Sequence, residues 1–289
     1  MVNRESRIGP ADVQRLTRRP PDARKGQGGR VLIVGGSAFF RGALVYAARA
    51  AAQMADLVYH CAPAPCRAAI DQQPDLLGTC VDGDCLDVTH LDDVLRRVEA
   101  YRIDAVLIGP GMGLGPEVGV PEGTRELVAR LIPRLADRKV VVDADGLNAL
   151  AGRLDVLGPH VCLTPHRGEF AKLAGADPTP EHAAAFAKAH RCVIVVKGPV
   201  DVVTDGERTR FNHTGNPGMS TGGTGDVLSG ALAALAARNH LFQAACAAAY
   251  LTGLAGDLVM ETRGEFFTAS DVVDMLGGAA TWADEADED

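Results

Sequence analysis

Residues 214–226 (TGNPGMSTGGTGD) hold the densest chemistry in this 289-residue sequence. Gly222, Gly223 and Gly225 let the backbone approach a ligand and take positive φ. The stretch runs into a helical pattern over 223–237, whose first N–H groups lack partners and carry the positive end of the helix dipole. Gly222, Gly223 and Thr224 are therefore predicted to form an anion hole for a phosphate. Asp226 falls in the first helical turn beside it. An N-cap alone needs one Asp or Thr, not three nearby glycines. A carboxylate next to an anion hole suits phosphoryl transfer. The hole stabilises charge on the moving group, and Asp226 takes the proton of the attacking hydroxyl. Neighbouring N–H groups are expected to keep Asp226 ionised, and Mg²⁺ to bridge the phosphates. This is not a Walker A loop, because Thr224 stands where lysine is required, and neither 35–42 nor 109–115 matches G-x-G-x-x-G.

Other residues fit the same chemistry or a plainer one. Lys197 follows four apolar residues, precedes Gly198 and is one of only five lysines against 24 arginines, which reads as a nucleotide contact. His166 follows Pro165 at a predicted strand end and reads as a residue of the site edge. Asp143 and Asp145 either position a magnesium water or a ribose, or cap the next helix. His213 and Asn216 are read as shaping the loop. Cys61 and Cys66 are separated by four residues, as are Cys80 and Cys85, with His60 and His90 nearby. That spacing is too wide for the usual zinc pairs, so the cysteines are read as free thiols.

These groups need elements to position them. Apolar strand-like runs are predicted over 30–34, 56–61, 104–108, 140–142, 161–163 and 192–196, with a hairpin over 200–204 and 208–211 around Asp205-Gly206. Helical patterns fall between them, over 42–55 and 122–136, and after them, over 223–237, 242–260 and 270–276. Continuously apolar strands alternating with helices imply a mostly parallel sheet covered on both faces. Each Gly-rich or polar turn (35–37, 109–113, 143–148, 164–169, 197–198) follows a strand. In such a sheet the ligand sits beyond the carboxyl ends of the strands, so one site would gather all five. Residues 71–87 are the only long irregular stretch expected.

Composition bounds the class. With 47% hydrophobic residues the chain can bury a core, and a net charge of −8 argues against a nucleic-acid-binding protein. No run of about 18 apolar residues is seen, so no membrane-spanning helix is expected. Residues 1–25 are polar and lack the apolar core of a secretory signal. An odd cysteine count without an export signal argues against a disulfide framework, and a cytoplasmic location is expected. The organisation expected is an N-terminal extension over 1–28, frayed at its start, one α/β domain over 29–280, and a disordered acidic tail over 281–289. The Ala-rich helices pack either internally or between subunits of a homo-oligomer.

Taken in order, 33–43, 109–113 (GPGMG), 142–147, 163–170 (with TPHRGEF), Lys197-Gly198 and 214–226 resemble the ribokinase-like superfamily and, more narrowly, the NAD(P)H-hydrate dehydratase family. The resemblance covers about 28–276 and implies a ribokinase-like three-layer α/β/α sandwich. It also implies a reaction: the ring hydroxyl of the S-form of hydrated NADH or NADPH is phosphorylated from ADP or ATP, and phosphate is then eliminated. On this resemblance Asp226 is the catalytic and substrate-contacting Asp, and Ala43, Gly111 and His166 are substrate contacts. Lys197, Gly198, Pro199, Val200, Asp201 and Gly225 become nucleotide contacts. Glu169 holds Mg²⁺ through water, and His166 replaces the Asn of the related N-x-x-E motif.

Phe40 replaces an expected Tyr, Arg167 a Pro and Gly146 an Ala. Pro199-Val200-Asp201 replaces a smaller triplet, which bears on the choice of phosphate donor. Family members often carry an epimerase domain. Only about 30 residues precede the first strand here, so dehydration without epimerisation is expected, with a separate epimerase upstream. The rival readings are a superfamily kinase acting on hydroxymethylpyrimidine, hydroxyethylthiazole or a sugar, and a nucleotide-binding regulator without catalysis.

Overall fold

The computed structural model describes residues 6–286. Nine strands form one sheet among these residues: β1 (Arg30–Val34), β2 (Leu57–Cys61), β3 (Leu76–Leu77), β4 (Ala105–Ile108), β5 (Lys139–Val142), β6 (Val161–Leu163), β7 (Val193–Val196), β8 (Asp201–Thr204) and β9 (Thr209–Asn212). Their spatial order is 3-2-1-4-5-6-7-8-9. All pairings from β3 to β7 are parallel, and β8 and β9 close the edge as an antiparallel hairpin.

Side chains alternate across the strands, and both faces are apolar. Val31, Ile33, Leu107, Val141 and Val195 point into one core. That core is shared with α2 (Gly42–Met54), the short α3 (Arg67–Ile70), α9 (Thr224–Ala236), α10 (Leu241–Arg263) and α11 (Ala269–Glu285). Leu32, Val34, Val106, Ile108 and Val142 point into the other. It is covered by α4 (Leu91–Ala100), α5 (Glu122–Arg134), α6 (Asp145–Ala149), α7 (Arg167–Ala174) and α8 (Pro180–His190). Strands buried on both faces lose the apolar-polar alternation of a half-exposed sheet, which is why each reads as an unbroken apolar run. The result is a three-layer α/β/α sandwich. The alanines of α9 and α10 are buried within this one chain.

Several expectations change. The irregular stretch over 71–87 contains β3, which extends the sheet beyond β2. The start of the chain is not frayed over its described part. Ile8 donates its N–H to the Phe211 carbonyl at 2.9 Å, and α1 (Pro10–Gln14) buries Val13. The tail boundary at 281 also moves. α11 continues to Glu285, Ala283 is fully buried, and the Gln14 amide donates to the carbonyls of Ala283 and Ala286 at 3.0 Å. Residues 287–289 of the expected tail lie outside the described residues. One helix is more apolar than expected: α10 is long and apolar enough, by length and composition, to cross a membrane. Its apolar window is mostly buried inside the molecule, because it is the central core helix of its layer.

Strand order reverses between β1 and β4, since β1 connects outward to β2 while β4 starts the run in the other direction. Open parallel sheets bind ligands at such a switch point. The loops there are tightly pressed. Gly109 has φ +127°, and a Cβ on it would lie 1.9 Å from the Asp143 carbonyl oxygen. Only glycine fits, and it brings the end of β4 against the turn after β5.

Candidate active site

The start of α9 is built by its own loop and anchored by α10. Gly223 is the N-cap, with φ 100°. The first bond of the helix runs from the Val227 N–H to the Gly223 carbonyl at 3.0 Å, so the preceding amides stand at the unpaired end. The Thr224 hydroxyl donates back to the Met219 carbonyl at 2.8 Å and closes the turn. Upstream, Asp257 of α10 accepts the Gly215 N–H at 2.8 Å and the Asn216 side-chain amide at 3.0 Å. Asn216 in turn accepts from the Gly218 N–H and so shapes the loop. Asp257 escaped the sequence reading. Its signal was the first acidic residue to interrupt the long apolar stretch of that helix.

A cavity of about 630 Å³ opens beside this helix start. It brings together His166, Lys197, Gly198, Pro199, Asp201, Thr224 and Gly225. Thr214, Asn216, Met219 and Thr252 complete much of its wall. Val200 does not join them; it is 38% exposed and turned outward. Ala43 and Gly111 lie on a separate rim, where a Cβ on Gly111 would sit 3.4 Å from the Ala43 Cβ. Tyr46, one turn further along α2, packs against Gly223, where a Cβ would meet its ring at 2.7 Å. The α9 N-terminus therefore stands between the cavity and the rim that holds Ala43 and Gly111.

Lys197 sits at the centre. Its ammonium donates to Asp143 Oδ1 at 2.9 Å, with the Asp143 side chain 2% exposed. A Cβ on Gly225 would lie 3.2 Å from the same nitrogen. Burial opposes the charge on Lys197, but Asp143, Glu169 and Asp226 outweigh it and hold its pKa above the ordinary value. Asp143 is thus a buried ion-pair partner rather than a helix cap. Asp145 accepts the Gly113 N–H at 2.8 Å and ties the β4 loop to the β5 turn. Ala144 between them has φ 49° and ψ −121°, a strained conformation of the kind found at functional turns.

Asp226 departs from the expectation that it stays ionised. Burial first, then the negative charge of Asp143, pushes its pKa up to about 7; Lys197 pulls the other way, while Asp145 and Glu169 add to the rise. Among the described residues no hydrogen bond reaches its carboxylate. The helix-end amides do not compensate for three other acids gathered by the strand ends. A pKa near 7 still suits a general base at neutral pH.

His166 and Glu169 form a reciprocal cap on α7. Nδ1 of His166 accepts the N–H groups of Gly168 and Glu169, at 3.0 and 3.2 Å, and Glu169 accepts the His166 N–H at 2.8 Å. Nδ1 therefore carries no proton, and Nε2 is the donor of the ring. Burial raises the Glu169 pKa, against Lys197 and the His166 N–H. Asp201 also turns inward: its two oxygens accept the Gly198 N–H and the Asn212 amide, both at 3.0 Å. It lines the cavity while holding the Lys197-Gly198 turn in place.

Metal binding can be tested on these donors. Among the described residues no three acidic, His or Cys side chains converge to cage an ion, at this site or near Cys61, Cys66, Cys80 and Cys85. All seven cysteines are free thiols. The acids around Lys197 offer hard oxygen donors only. They suit a cation that keeps most of its water and is held chiefly by phosphate oxygens, as Mg²⁺ commonly is.

Residues 31–277 match the family model described as NAD(P)H-hydrate dehydratase. The chain is 41% identical over 285 residues to a bifunctional NAD(P)H-hydrate repair enzyme of Pyrobaculum aerophilum, covering 93% of this chain and 54% of that protein. It thus spans about half the length of several curated relatives it matches. An ADP-dependent (S)-NAD(P)H-hydrate dehydratase of Cenarchaeum symbiosum is 35% identical, covering 93% of this chain and 94% of its own. Among solved structures, an ADP/ATP-dependent NAD(P)H-hydrate dehydratase from Bacillus subtilis, co-crystallised with ATP/Mg²⁺, superposes with a TM-score of 0.78 at 24% identity over 96% of this chain and 98% of that one. A ribokinase-like superfamily protein from Enterococcus faecalis superposes with 0.84 at 22% identity, over 99% of each chain. The switch-point site and the acid at the start of α9 thus sit on a ribokinase-like fold, and the chain belongs to the NAD(P)H-hydrate dehydratase family.

Proposed function

We propose that this protein dehydrates the S-form of hydrated NADH or NADPH at the expense of ADP or ATP. The observation that carries the reading is Asp226 at the N-terminus of α9, between the 630 Å³ cavity and the rim of Ala43 and Gly111. The cavity takes the adenine nucleotide, with Lys197, Gly198, Pro199, Asp201 and Gly225 around it and the amides of Gly222, Gly223 and Thr224 facing the transferred phosphoryl group. Val200 contributes backbone only. Asp226 accepts the proton of the ring hydroxyl as its oxygen bonds to phosphorus, and the bond from phosphorus to the departing nucleotide breaks. Phosphate then leaves with the carbon–oxygen electron pair. A proton then passes from the neighbouring ring carbon to water, and the electron pair of that C–H bond completes the double bond.

His166 lines the cavity, apart from Ala43 and Gly111, so its role on this reading is a hydrogen bond from Nε2 to a ligand bound there. Mg²⁺, when bound, neutralises phosphate charge, and Glu169 would hold it through water. The seven free thiols support a reducing cytoplasmic setting. An epimerase activity upstream would supply the S-form.

The test is recovery of reduced-nicotinamide absorbance from NADH hydrate or NADPH hydrate, with ADP and ATP in parallel. Asp226→Asn is expected to lower turnover by about 10²–10⁴-fold with the fold intact. Near wild-type turnover by that variant would remove Asp226 from the mechanism. No recovery with either nucleotide, together with phosphorylation of a vitamin precursor, would select a superfamily kinase instead.

A further inference from the structure

Two large aromatic side chains stand exposed beside the substrate rim, and nothing in the fold requires them there. Phe39 is 58% exposed and Phe40 39% exposed. Their rings pack edge to face with centroids 4.7 Å apart. The chain is poor in aromatics, with eight Phe, four Tyr and one Trp, so two adjacent exposed rings are a costly use of them.

The pair is held rigidly. Both backbone N–H groups donate to the Ser37 hydroxyl oxygen, at 3.3 and 3.0 Å. That hydroxyl, fully buried, donates to the Gly113 carbonyl at 2.6 Å. The Phe39 ring lies over Gly115, where a Cβ would meet it at 2.9 Å. Phe40 abuts Gly111, where a Cβ would meet its carbonyl oxygen and Cβ at 2.8 and 2.9 Å. The rings thus project from a fixed loop at the switch point, next to the two substrate positions and two residues ahead of α2.

On the reading above, we infer that Phe39 and Phe40 form the wall against which the hydrated nicotinamide ring of the substrate packs. The wall excludes water from one ring face and turns the ring hydroxyl toward Asp226. The hydrated ring carries saturated carbons, whose C–H groups pack on an aromatic face without any reading of hydrogen bonds, so the same wall takes NADH hydrate and NADPH hydrate alike. Both rings act by positioning.

The experiment compares wild type with Phe39→Ala/Phe40→Ala, Phe40→Leu and Phe40→Tyr in the hydrate-repair assay. Alanine retains the Cβ that abuts Gly111, so the loop keeps its shape. The double variant is expected to raise KM for the hydrate roughly tenfold, with KM for the nucleotide and the melting temperature within error of wild type. Phe40→Tyr should restore the wild-type KM, and Phe40→Leu, which is apolar but not flat, should not. Weaker NADH binding by the double variant, read from nicotinamide fluorescence, should accompany the change. An unchanged hydrate KM in the double variant overturns the inference, as does an equal rise for both ligands with a lowered melting temperature. Absence of hydrate repair in wild type overturns the functional reading itself, which separates the two failures.

Discussion

Asp226 works among other acids, and its behaviour follows from that company. As a base it must be unprotonated, so kcat/KM is expected to rise through about pH 7 and level off above it. Lys197 lowers the Asp226 pKa. Lys197→Met should therefore shift the acid limb to higher pH, in addition to weakening nucleotide binding; a pH–rate profile of the two proteins checks both. Stability carries the same sign. The Asp226 pKa lies above its ordinary 3.8 in the fold, so protonation favours the folded state. That contribution is complete below about pH 4 and is lost as pH rises through about 7. Asp226→Asn, which mimics the neutral acid, should melt above wild type at pH 8 by a few kcal/mol at most. The gap should narrow as pH falls from 7 and close only below about pH 4 in thermal scans. The sequence placed Asp226 at a helix start but could not show its charge environment. Asp143 and Glu169 lie some 83 and 57 positions away in the chain and meet it only at the strand ends.

At the scale of elements, the site is a set of strand-end loops pinned from behind by one core helix. α10 reaches the 214–218 loop through Asp257, Asn212 donates to the Ala249 carbonyl at 3.1 Å, and Thr214 donates to the Tyr250 carbonyl at 3.0 Å. These bonds set the floor of the cavity without touching the reacting atoms. Asp257→Ala leaves the Gly215 N–H and the Asn216 amide without their partner. It should cost about 1–3 kcal/mol in stability, and raise KM for the nucleotide more than it lowers kcat. Denaturant melts and steady-state kinetics check the split. The strands and the Gly-rich turns were legible because an unbroken apolar run ending in glycine is seldom anything but a buried strand and its turn. The Asp257 anchor was not, because a helical pattern shows which face is apolar but not which loop that face supports.

At the scale of the molecule, the first and last described segments fasten to each other on the layer that carries α9. Arg18 pairs with Asp284, and Gln14 donates to the last turn of α11. Truncation after residue 280 removes buried Ala283 and these contacts. It should lower the melting temperature by several degrees, on the order of 1–3 kcal/mol, while leaving hydrate turnover at 25 °C close to wild type. A melt unchanged by truncation would return 281–285 to the status of a loose tail. The acidic composition of that end resembled a solvated terminus, and composition alone carries no information on what an Arg 266 positions earlier will do.

Chain order and local chemistry were enough to determine the α/β class, the mostly parallel sheet, a glycine-rich loop at a helix start and an acid in the first turn of that helix. Each of these depends on residues within a few positions of one another or on a repeated apolar pattern. Tertiary structure alone decided what stands beside what. It paired Lys197 with Asp143, turned Val200 outward, made His166 a helix cap and set the Asp226 pKa near 7. It also placed the rings of Phe39 and Phe40 against each other beside Gly111 and Gly115. Such outcomes depend on distances between residues far apart in the chain and on the water excluded between them, and only the folded sheet supplies both.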